Sequence, residues 1–525
     1  MKLSDEQNAI IEHPGDARIT AVAGSGKTST LLQYALARPS ERMLYIVYNR
    51  SAKMEALRKF GLAGAHNVTV ETAHSLAHRG LNVKNRFELM STGNLRVGDI
   101  AEICNLQASR NQPKFHLLLS RHIQKALNIF CNSSARSFDS IDYLASLSDQ
   151  KSKDFATHHI DTILGYAKWI LSEMFRKRIP VTHDAYLKFY QLGNPSLSRF
   201  DAMLFDEGQD ASPVMLDIFL RQRGRKLIVG DSSQQIYSFR GAVNSLDQVP
   251  FPSFGLTTSF RFRQEVADLA METLQLKRMI GQYQNPVRIR GVGSCQETES
   301  FAVLARTNLC LLREAIESML FSKRRRLFFE GGFESYTYMS EGASLFDVLY
   351  LRLGQFGKIR SSFIREFQDF ESLLEYIEAA EDGELRLTVE IVKEFGPSLV
   401  DFINRLRQLQ VPREQAEVVF STVHKSKGQE YDCVEILDDF ITGEKIQEML
   451  AIARKDPKFA EKLDMNKVAE EINILYVALT RVKNVLMMNF DVTLGSEGEA
   501  DYYVYNGSNN QGVPAIPTLV NQEVS

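Results

Sequence analysis

"AVAGSGKTST", Ala21 to Thr30, decides how the rest of the chain is read. The apolar run "ARITAV" leads into it, a glycine turn follows, and "KTSTLLQYALA" then has helical spacing. A strand, a glycine loop and a helix in that order make a phosphate-binding loop. Gly24 and Gly26 permit a tight turn whose amides face an anion. Lys27 brings compact positive charge to the terminal phosphates, and Thr28 offers a hydroxyl to Mg²⁺. The helix adds the amides of its own N-terminus. The generic spacing is G-x-x-x-x-G-K-[ST], yet Ala21 stands where the first Gly belongs. Taken alone, the loop is either a nucleotide site or a glycine turn without a ligand.

Outward from the loop, strands and helices alternate. "RMLYIVY" reads as a buried strand, "SAKMEALRKF" as a helix, and "NVTVETAHSLA" as a third strand running into a loop. This βαβ rhythm predicts a parallel sheet with helices on its faces. The stretch 81–195 is helix-rich, and "DAMLFDEGQD" and "KLIVGDSSQQIYSFRGA" then resume the αβ pattern. Further strands, "SFAVLART", "RLFFEGG", "AEVVFSTVHKSKGQEYDCVEIL" and "VLMMNFDV", predict a second αβ unit. It is interrupted by the helical "SSFIREFQDFESLLEYIEAAEDGELRLTVEIVKEF". The expected organisation is one core from 1–80 and 196–248 with a helical insertion over 81–195, and a second from 249–344 and 416–503 with a smaller insertion over 345–415. A tail, 504–525, follows. Open α/β sheets hold their ligands at the carboxyl ends of the strands, so the chemistry is sought there.

At 525 residues the chain has room for several domains. Its net charge is −3, from 62 basic and 65 acidic residues, so a nucleic acid would have to be held by a local groove. Cys104, Cys131, Cys295, Cys310 and Cys433 are scattered without a C-x-x-C pair. That disfavours a disulfide framework or a zinc finger and fits a reducing compartment. "MKLSDEQNAIIEHPGD" has no apolar signal core, and no uncharged apolar run approaches the length of a membrane span. The expectation is a soluble intracellular protein without a membrane partner.

Two later strand ends complete a hydrolytic set. In "LFDEGQD", Asp206 and Glu207 leave an apolar run together. Asp206 suits a metal ion, and Glu207 suits a base that orients the attacking water. Read alone, they are equally two solvated acids. In "IVGDSSQQIYSFRGA", Gln234 offers an uncharged side chain to the γ-phosphate. Phosphoryl transfer also gathers negative charge that needs cations, and Arg261 ("SFRFR") and Arg481 ("YVALTRVKN") are candidates. Each, taken singly, reads more readily as a surface ion pair. As fingers from the second unit they would make hydrolysis depend on closure of a cleft.

Nine blocks now stand in order: "LSDEQNAII", "AVAGSGKTST", "YNRSAK", "ETAHSLA", "DEGQD", "VGDSSQQIYSFRGA", "TTSFRFRQEV", "STVHKSKGQEYD" and "ILYVALTR". Together they resemble the superfamily 1 helicases of the UvrD/Rep type. "THDAYLKFYQL" and "GDSSQQIYSFRGAVNSL" are similar to the F-box DNA helicase branch, here as a helicase part without an F-box. The resemblance implies an α/β fold with two RecA-like parallel-sheet motor domains, each with a helical insertion. It implies ATP and Mg²⁺ as cofactors, with Gln7 on the adenine edge and Ala23, Gly24, Ser25, Gly26, Lys27, Thr28 and Ser29 around the phosphates. Thr28 and Asp206 would hold the metal, Phe260 would stack on adenine and Glu430 would contact ribose. Gln234 would couple the γ-phosphate to the nucleic acid, and Arg261 and Arg481 would be the fingers. Tyr48, Asn49, Thr72, His74, Phe239, Arg240, Thr422 and His424 would line a single-strand path. The alternative for His74 and His424 is that they are ordinary loop histidines satisfying backbone groups.

The departures are specific. Ala21 agrees with this family rather than with the generic loop. Gly208 stands where relatives often carry Ala or Phe. Ile472 and Asn473 follow Glu470 and Glu471 where two basic residues are common, which predicts a weaker ion-pair network. The second insertion is short. Lys323, Arg324, Arg325 and Arg326 either grip a phosphate backbone or end a solvated helix. The resemblance implies an ATP-dependent DNA helicase moving 3′ to 5′ on single strands and at single–double-strand junctions, in repair, recombination or replication. It would act in the cytoplasm on a bacterial nucleoid, or in a nucleus. The rivals are a translocase that strips proteins such as recombinase filaments from DNA, and a nucleotide-gated subunit of a nuclease or defence complex.

Overall fold

Strand β1 (Ala17–Ala21), which delivers the chain to the glycine loop, lies in a sheet with β2 (Met43–Val47), β3 (Val68–Thr72), β4 (Ala202–Phe205), β5 (Arg225–Gly230) and β6 (Ser253–Leu256). The computed structural model describes residues 3–108, 114–147, 149–237, 246, 248–283, 287–321, 326–492 and 503–505. They form two compact units: Met1–Thr257 with Tyr338–Glu394 and Lys458–Asp464, and Thr258–Thr337 with Phe395–Pro457 and Met465–Ser525.

In the first unit the strand order is β3-β2-β4-β5-β1-β6, and every pairing is parallel. β2 and β4 are buried at every position, as expected where both faces of a parallel sheet are covered. Side chains alternate between faces. Met43, Tyr45 and Val47 join the cluster containing Leu31 and Tyr34 of the helix Lys27–Leu36. Leu44 and Ile46 join the cluster containing Ile123, Ile163 and Ile170 of the helical stretch between β3 and β4. Because all strands run one way, their carboxyl ends share one edge of the sheet.

That helical stretch holds Val97–Ile103, Phe115–Asn132, Gln150–Phe175 and His183–Leu192. Phe115–Asn132 buries Leu119, Ile123, Ala126, Leu127 and Phe130, the i, i+3, i+4 stripe of a core-facing helix. Asp149 caps the long helix by accepting from the amides of Lys151 and Ser152, and the helix is interrupted at His159 (φ −121°, ψ 17°).

The second unit carries a small pair, β7 (Thr258–Ser259) with β8 (Arg290–Gly291). Its main sheet is built from β9 (Phe301–Ala305), β10 (Leu327–Phe329), β11 (Val418–Thr422), β12 (Tyr431–Ile436), β13 (Val482–Met488) and β14 (Tyr503–Tyr505). The order is β10-β11-β9-β12-β13-β14, parallel except that β14 pairs antiparallel with β13. The protein is thus α/β, with two largely parallel sheets and many helices.

Three segments group differently from their sequence pattern. β6 falls in 249–344 yet pairs with β1 of the first sheet. β14 runs into the stretch read as tail. The stretch 345–415 divides: residues to Glu394 group with the first unit, and those from Phe395 with the second. The helix Phe370–Ala380 packs on Phe115–Asn132 and Gln150–Phe175. Arg121 there meets Asp382 at 3.2 Å and Glu341 at 3.6 Å, and Lys125 meets Glu381 at 3.2 Å. An apolar period identifies a helix but not the surface it packs on.

Candidate functional site

β1, β4 and β5 are neighbours, so the residues after them converge. Gly24 (φ 71°) and Gly26 (φ 79°) turn the chain through left-handed conformations that favour glycine. Gly26 is also the N-cap of the helix Lys27–Leu36 and has no side chain with which to occupy the first-turn amides. Ser25 is buried, and its Oγ has no hydrogen-bond partner among the described residues. A buried hydroxyl left this way costs about 1–3 kcal/mol, and an anion in the loop would remove that cost. The loop therefore fits a phosphate chain.

Lys27 Nζ lies 2.9 Å from Glu207 Oε2. Burial lowers the pKa of the Lys27 ammonium, but the charges of Glu207, Asp206 and Asp231 outweigh it and hold the pKa above its ordinary value. Thr28 Oγ1 donates to Asp206 Oδ2 over 3.2 Å, and Tyr45 on β2 donates its hydroxyl to the same oxygen. Burial, then the neighbouring Glu207 charge, raise the Asp206 pKa. Two hard oxygens side by side beside a second carboxylate fit Mg²⁺, which binds through one or two carboxylates and keeps several waters.

Glu207 sits in the left-handed region (φ 52°), unusual for a side-chain-bearing residue. Gln209 Nε2 donates to Glu207 Oε2 over 2.7 Å, and Gln209 Oε1 accepts from the Asp231 amide over 3.0 Å. Gln209 thereby joins the ends of β4 and β5. Gln234 Nε2 donates to Asp231 Oδ2 over 2.7 Å. At Gly208 a Cβ would stand 2.6 Å from Ile228 Cγ1, so in this packing Gly208 leaves room for that side chain. Gln7 is fully buried; its Nε2 donates to Thr30 Oγ1 over 3.0 Å, and its Oε1 accepts from the Ser4 amide in a capping box. A Cβ on Gly26 would approach Gln7 Nε2 to 3.3 Å, so Gln7 underlies the loop.

The ends of β2 and β3 carry the residues read as strand contacts. Tyr48 stacks on Tyr237, with ring centroids 5.7 Å apart and 13° between planes. Asn49 caps the helix Arg50–Leu62 by accepting from the Ala52 amide over 2.9 Å. Thr72 caps Ala73–Gly80 by accepting from the Ser75 amide over 3.0 Å. His74 Nε2 lies 3.3 Å from Asp184 Oδ1. Under this edge, Glu71 is buried and binds Lys53 Nζ over 2.7 Å together with Arg79 and Ser75. Phe239 and Arg240, like Lys323, Arg324 and Arg325, lie outside the described residues.

The second unit gathers its own set. Arg261 Nη2 and Nε donate to Glu430 Oε1 over 2.6 and 3.0 Å, and Arg261 Nη1 donates to the Thr480 carbonyl over 2.6 Å. Burial raises the Glu430 pKa, but Arg261, with Arg481 and Lys483, outweighs it and the net shift is downward. Arg481 is buried, with Nε donating to the Val477 carbonyl over 3.0 Å. Phe260 is 42% exposed, open to a planar ligand. Thr422 ends β11 and, with His424 in the next turn, flanks buried Val423. Glu471 is held by Arg306 Nε and Nη2, both over 2.6 Å, and Asn473 Oδ1 accepts from Lys277 Nζ over 2.6 Å. The cations of this network thus come from Arg306 and Lys277, away from the late motif.

Tyr45, Gln209, Asp231 and Tyr237 are the members that motif reading passed over. All four stand inside or beside quoted motifs, and only their pairing across strands gives them roles. No helix among the described residues is long and apolar enough to cross a membrane.

Comparison with known proteins agrees with this geometry. The profile described as UvrD/REP helicase N-terminal domain matches residues 3–247, and that described as UvrD-like helicase C-terminal domain matches residues 292–492. F-box DNA helicase 1 of Gallus gallus is 28% identical over 522 residues, covering 93% of this chain and 49% of that protein. F-box DNA helicase protein 1 of Schizosaccharomyces pombe is 29% identical over 550 residues, covering 94% of this chain and 58% of that protein. A probable DNA helicase II homolog of Rickettsia conorii is 24% identical over 262 residues, covering 45% of this chain and 38% of that protein. The chain spans about half the length of the curated relatives it matches over nearly all its own length.

Proposed function

The chain belongs to the UvrD/Rep helicase family, and on that premise we propose that it is an ATP-driven motor that moves 3′ to 5′ on single-stranded DNA and opens duplex ahead of it. One observation carries this reading. In a single parallel sheet, the ends of β1, β4 and β5 hold the phosphate-loop and acid residues, and the ends of β2 and β3 hold Tyr48, Asn49, Thr72 and His74. β2 belongs to both groups: its Tyr45 holds Asp206, and its end carries Tyr48 and Asn49. Neighbouring strands are only about 4.8 Å apart, so a shift at one group is felt at the other.

The residues suggest how the cycle runs. Lys27 and Glu207 neutralise each other. Phosphate in the loop gives Lys27 a stronger anionic partner and gives Ser25 Oγ an acceptor. Glu207 is then released to take a proton from water, while Gln209 keeps its carboxylate in place. Mg²⁺, held by Thr28 and Asp206, would supply charge to the transferring phosphoryl group. Arg261 and Arg481 are assigned the remaining positive charge, Phe260 the adenine face and Glu430 the ribose. Tyr48 offers a π-face to a base, a contact worth about 1–3 kcal/mol and indifferent to sequence. Repair, recombination or replication intermediates with exposed single strands are the substrates this activity suits.

Duplexes with a 3′ or a 5′ single-stranded tail test the proposal. With ATP, the 3′-tailed duplex is expected to open and the 5′-tailed duplex to stay closed. Opening of the 5′-tailed substrate alone contradicts the direction, and opening of neither contradicts unwinding.

A further inference from the structure

In "LSDEQNAII", Leu3 to Ile11, two consecutive residues of the helix Asp5–Glu12 reach different places. Gln7 Nε2 donates to Thr30 Oγ1, which donates in turn to the Gly26 carbonyl of the phosphate loop, each over 3.0 Å. Glu6 holds Thr257: its Oε2 accepts from the Thr257 amide over 2.9 Å, and its Oε1 accepts from the Thr257 hydroxyl over 2.6 Å. A helix dipole favours an acid in the first turn wherever its side chain points. Two bonds to one residue far along the chain are a specific attachment, and bonds to an ionised carboxylate are about twice as strong as neutral ones. Thr257 is the single residue between β6 and β7. β6 belongs to the sheet of the first unit, and the second unit begins at Thr258. β6 pairs with β1 to its last residue, Leu256 opposite Ala21, and the Leu256 carbonyl accepts from the Val22 amide over 3.0 Å. The chain therefore leaves the first unit beside the strand that enters the phosphate loop, and Glu6 grips it at the point of departure. Phe260 and Arg261 follow directly.

We propose that Glu6 is a positioning residue for ATP hydrolysis: by fixing Thr257 it sets the point from which the chain carries Arg261. This rests on the reading above that Arg261 supplies charge to the transferring phosphoryl group. The stretch from Thr257 to Arg261 spans at most about 14 Å when extended, so the reach of the Arg261 backbone is set by where Thr257 stands. Hinges are a few loop or element-terminal residues that absorb backbone rotation. With Thr257 held, that rotation is confined to the torsions after it. Released, Thr257 adds its own φ and ψ, and Arg261 samples a wider volume. Gln7 and Glu6 also tie the phosphate loop and the exit to the same helical turn, so a shift of the loop on taking up phosphate passes to Thr257 through one rigid element.

The test is steady-state ATP hydrolysis by the full chain with saturating oligothymidylate, in a cycle of Glu6→Ala, Arg261→Ala and the double variant. Glu6→Ala is expected to lower kcat by about 10- to 100-fold, the effect of a misplacement on the ångström scale. Arg261→Ala should lower kcat as well. Adding Glu6→Ala to it should lower kcat by no more than about twofold further, because a residue that acts through Arg261 then has nothing left to position. Thr257→Val removes the hydroxyl, keeps the shape and should also lower kcat, whereas Thr257→Ser keeps both donors and should retain the wild-type rate. An unchanged kcat in Glu6→Ala overturns the proposal. So does an equal fall in the wild-type and Arg261→Ala backgrounds, which is the result for a merely structural residue. If Glu6→Ala fails to fold, Thr257→Val takes its place in the cycle with the same decisions. A wild-type kcat in Arg261→Ala overturns the underlying reading of Arg261 instead.

Discussion

Gln209 is the residue on which the geometry of the hydrolytic set turns. It spans Glu207 and the Asp231 amide, and Asp231 in turn holds Gln234. Gly230 has no side chain to offer, and a Cβ there would collide with Gln209. Gln209→Ala removes one of the hydrogen bonds that position Glu207, the proposed base for the attacking water. The expected result is a fall in kcat of about 10- to 100-fold, equivalent to about 1.4–2.8 kcal/mol, with little change in KM for ATP. Steady-state hydrolysis measures it, and an unchanged kcat would show that Glu207 keeps its place without Gln209. That Lys27, Thr28, Asp206 and Glu207 stand at strand ends was legible in the sequence, because each follows an apolar run, and the structure brings them together. Gln209 was visible as a letter of "DEGQD" but not as a bridge, since a bridge between strands exists only once β4 and β5 are paired.

At the scale of elements, the buried Glu71 at the end of β3 joins two helices through Lys53 and Arg79. Removing one partner of a buried ion pair usually costs about 3–5 kcal/mol. Here Lys53 is 22% and Arg79 59% exposed at the side chain, so solvent screens part of the loss. Glu71→Ala is therefore expected to destabilise the protein by about 1–3 kcal/mol, read as a lower urea midpoint at unchanged slope. An unshifted midpoint would mean that the network contributes nothing. The strands were legible from their apolar runs and turns. The partner of 338–394 was not, because Glu375, Glu378, Glu381 and Asp382 acquire meaning only opposite Lys114, Lys151, Lys125 and Arg121. The half-buried Arg121 is the firmest of these cations. Arg121→Ala is expected to speed amide exchange across the helix Phe370–Ala380, and unchanged exchange would show that apolar packing alone holds it.

At the scale of the whole molecule, each of two units contributes a largely parallel sheet with candidate site residues at strand ends. The net charge of −3 provides no broad basic field, so grip on a nucleic acid must come from local contacts and stacked rings. The order of nine motifs revealed the family, but nothing in their letters sets the direction or the pathway. ATP hydrolysis with and without single-stranded DNA tests the central claim most directly. The wild-type rate is expected to rise at least about tenfold with DNA, a lowering of the barrier by about 1.4 kcal/mol, and Lys27→Ala should abolish hydrolysis in both conditions. A rate indifferent to DNA, or a Lys27→Ala protein that still hydrolyses ATP, would contradict the account.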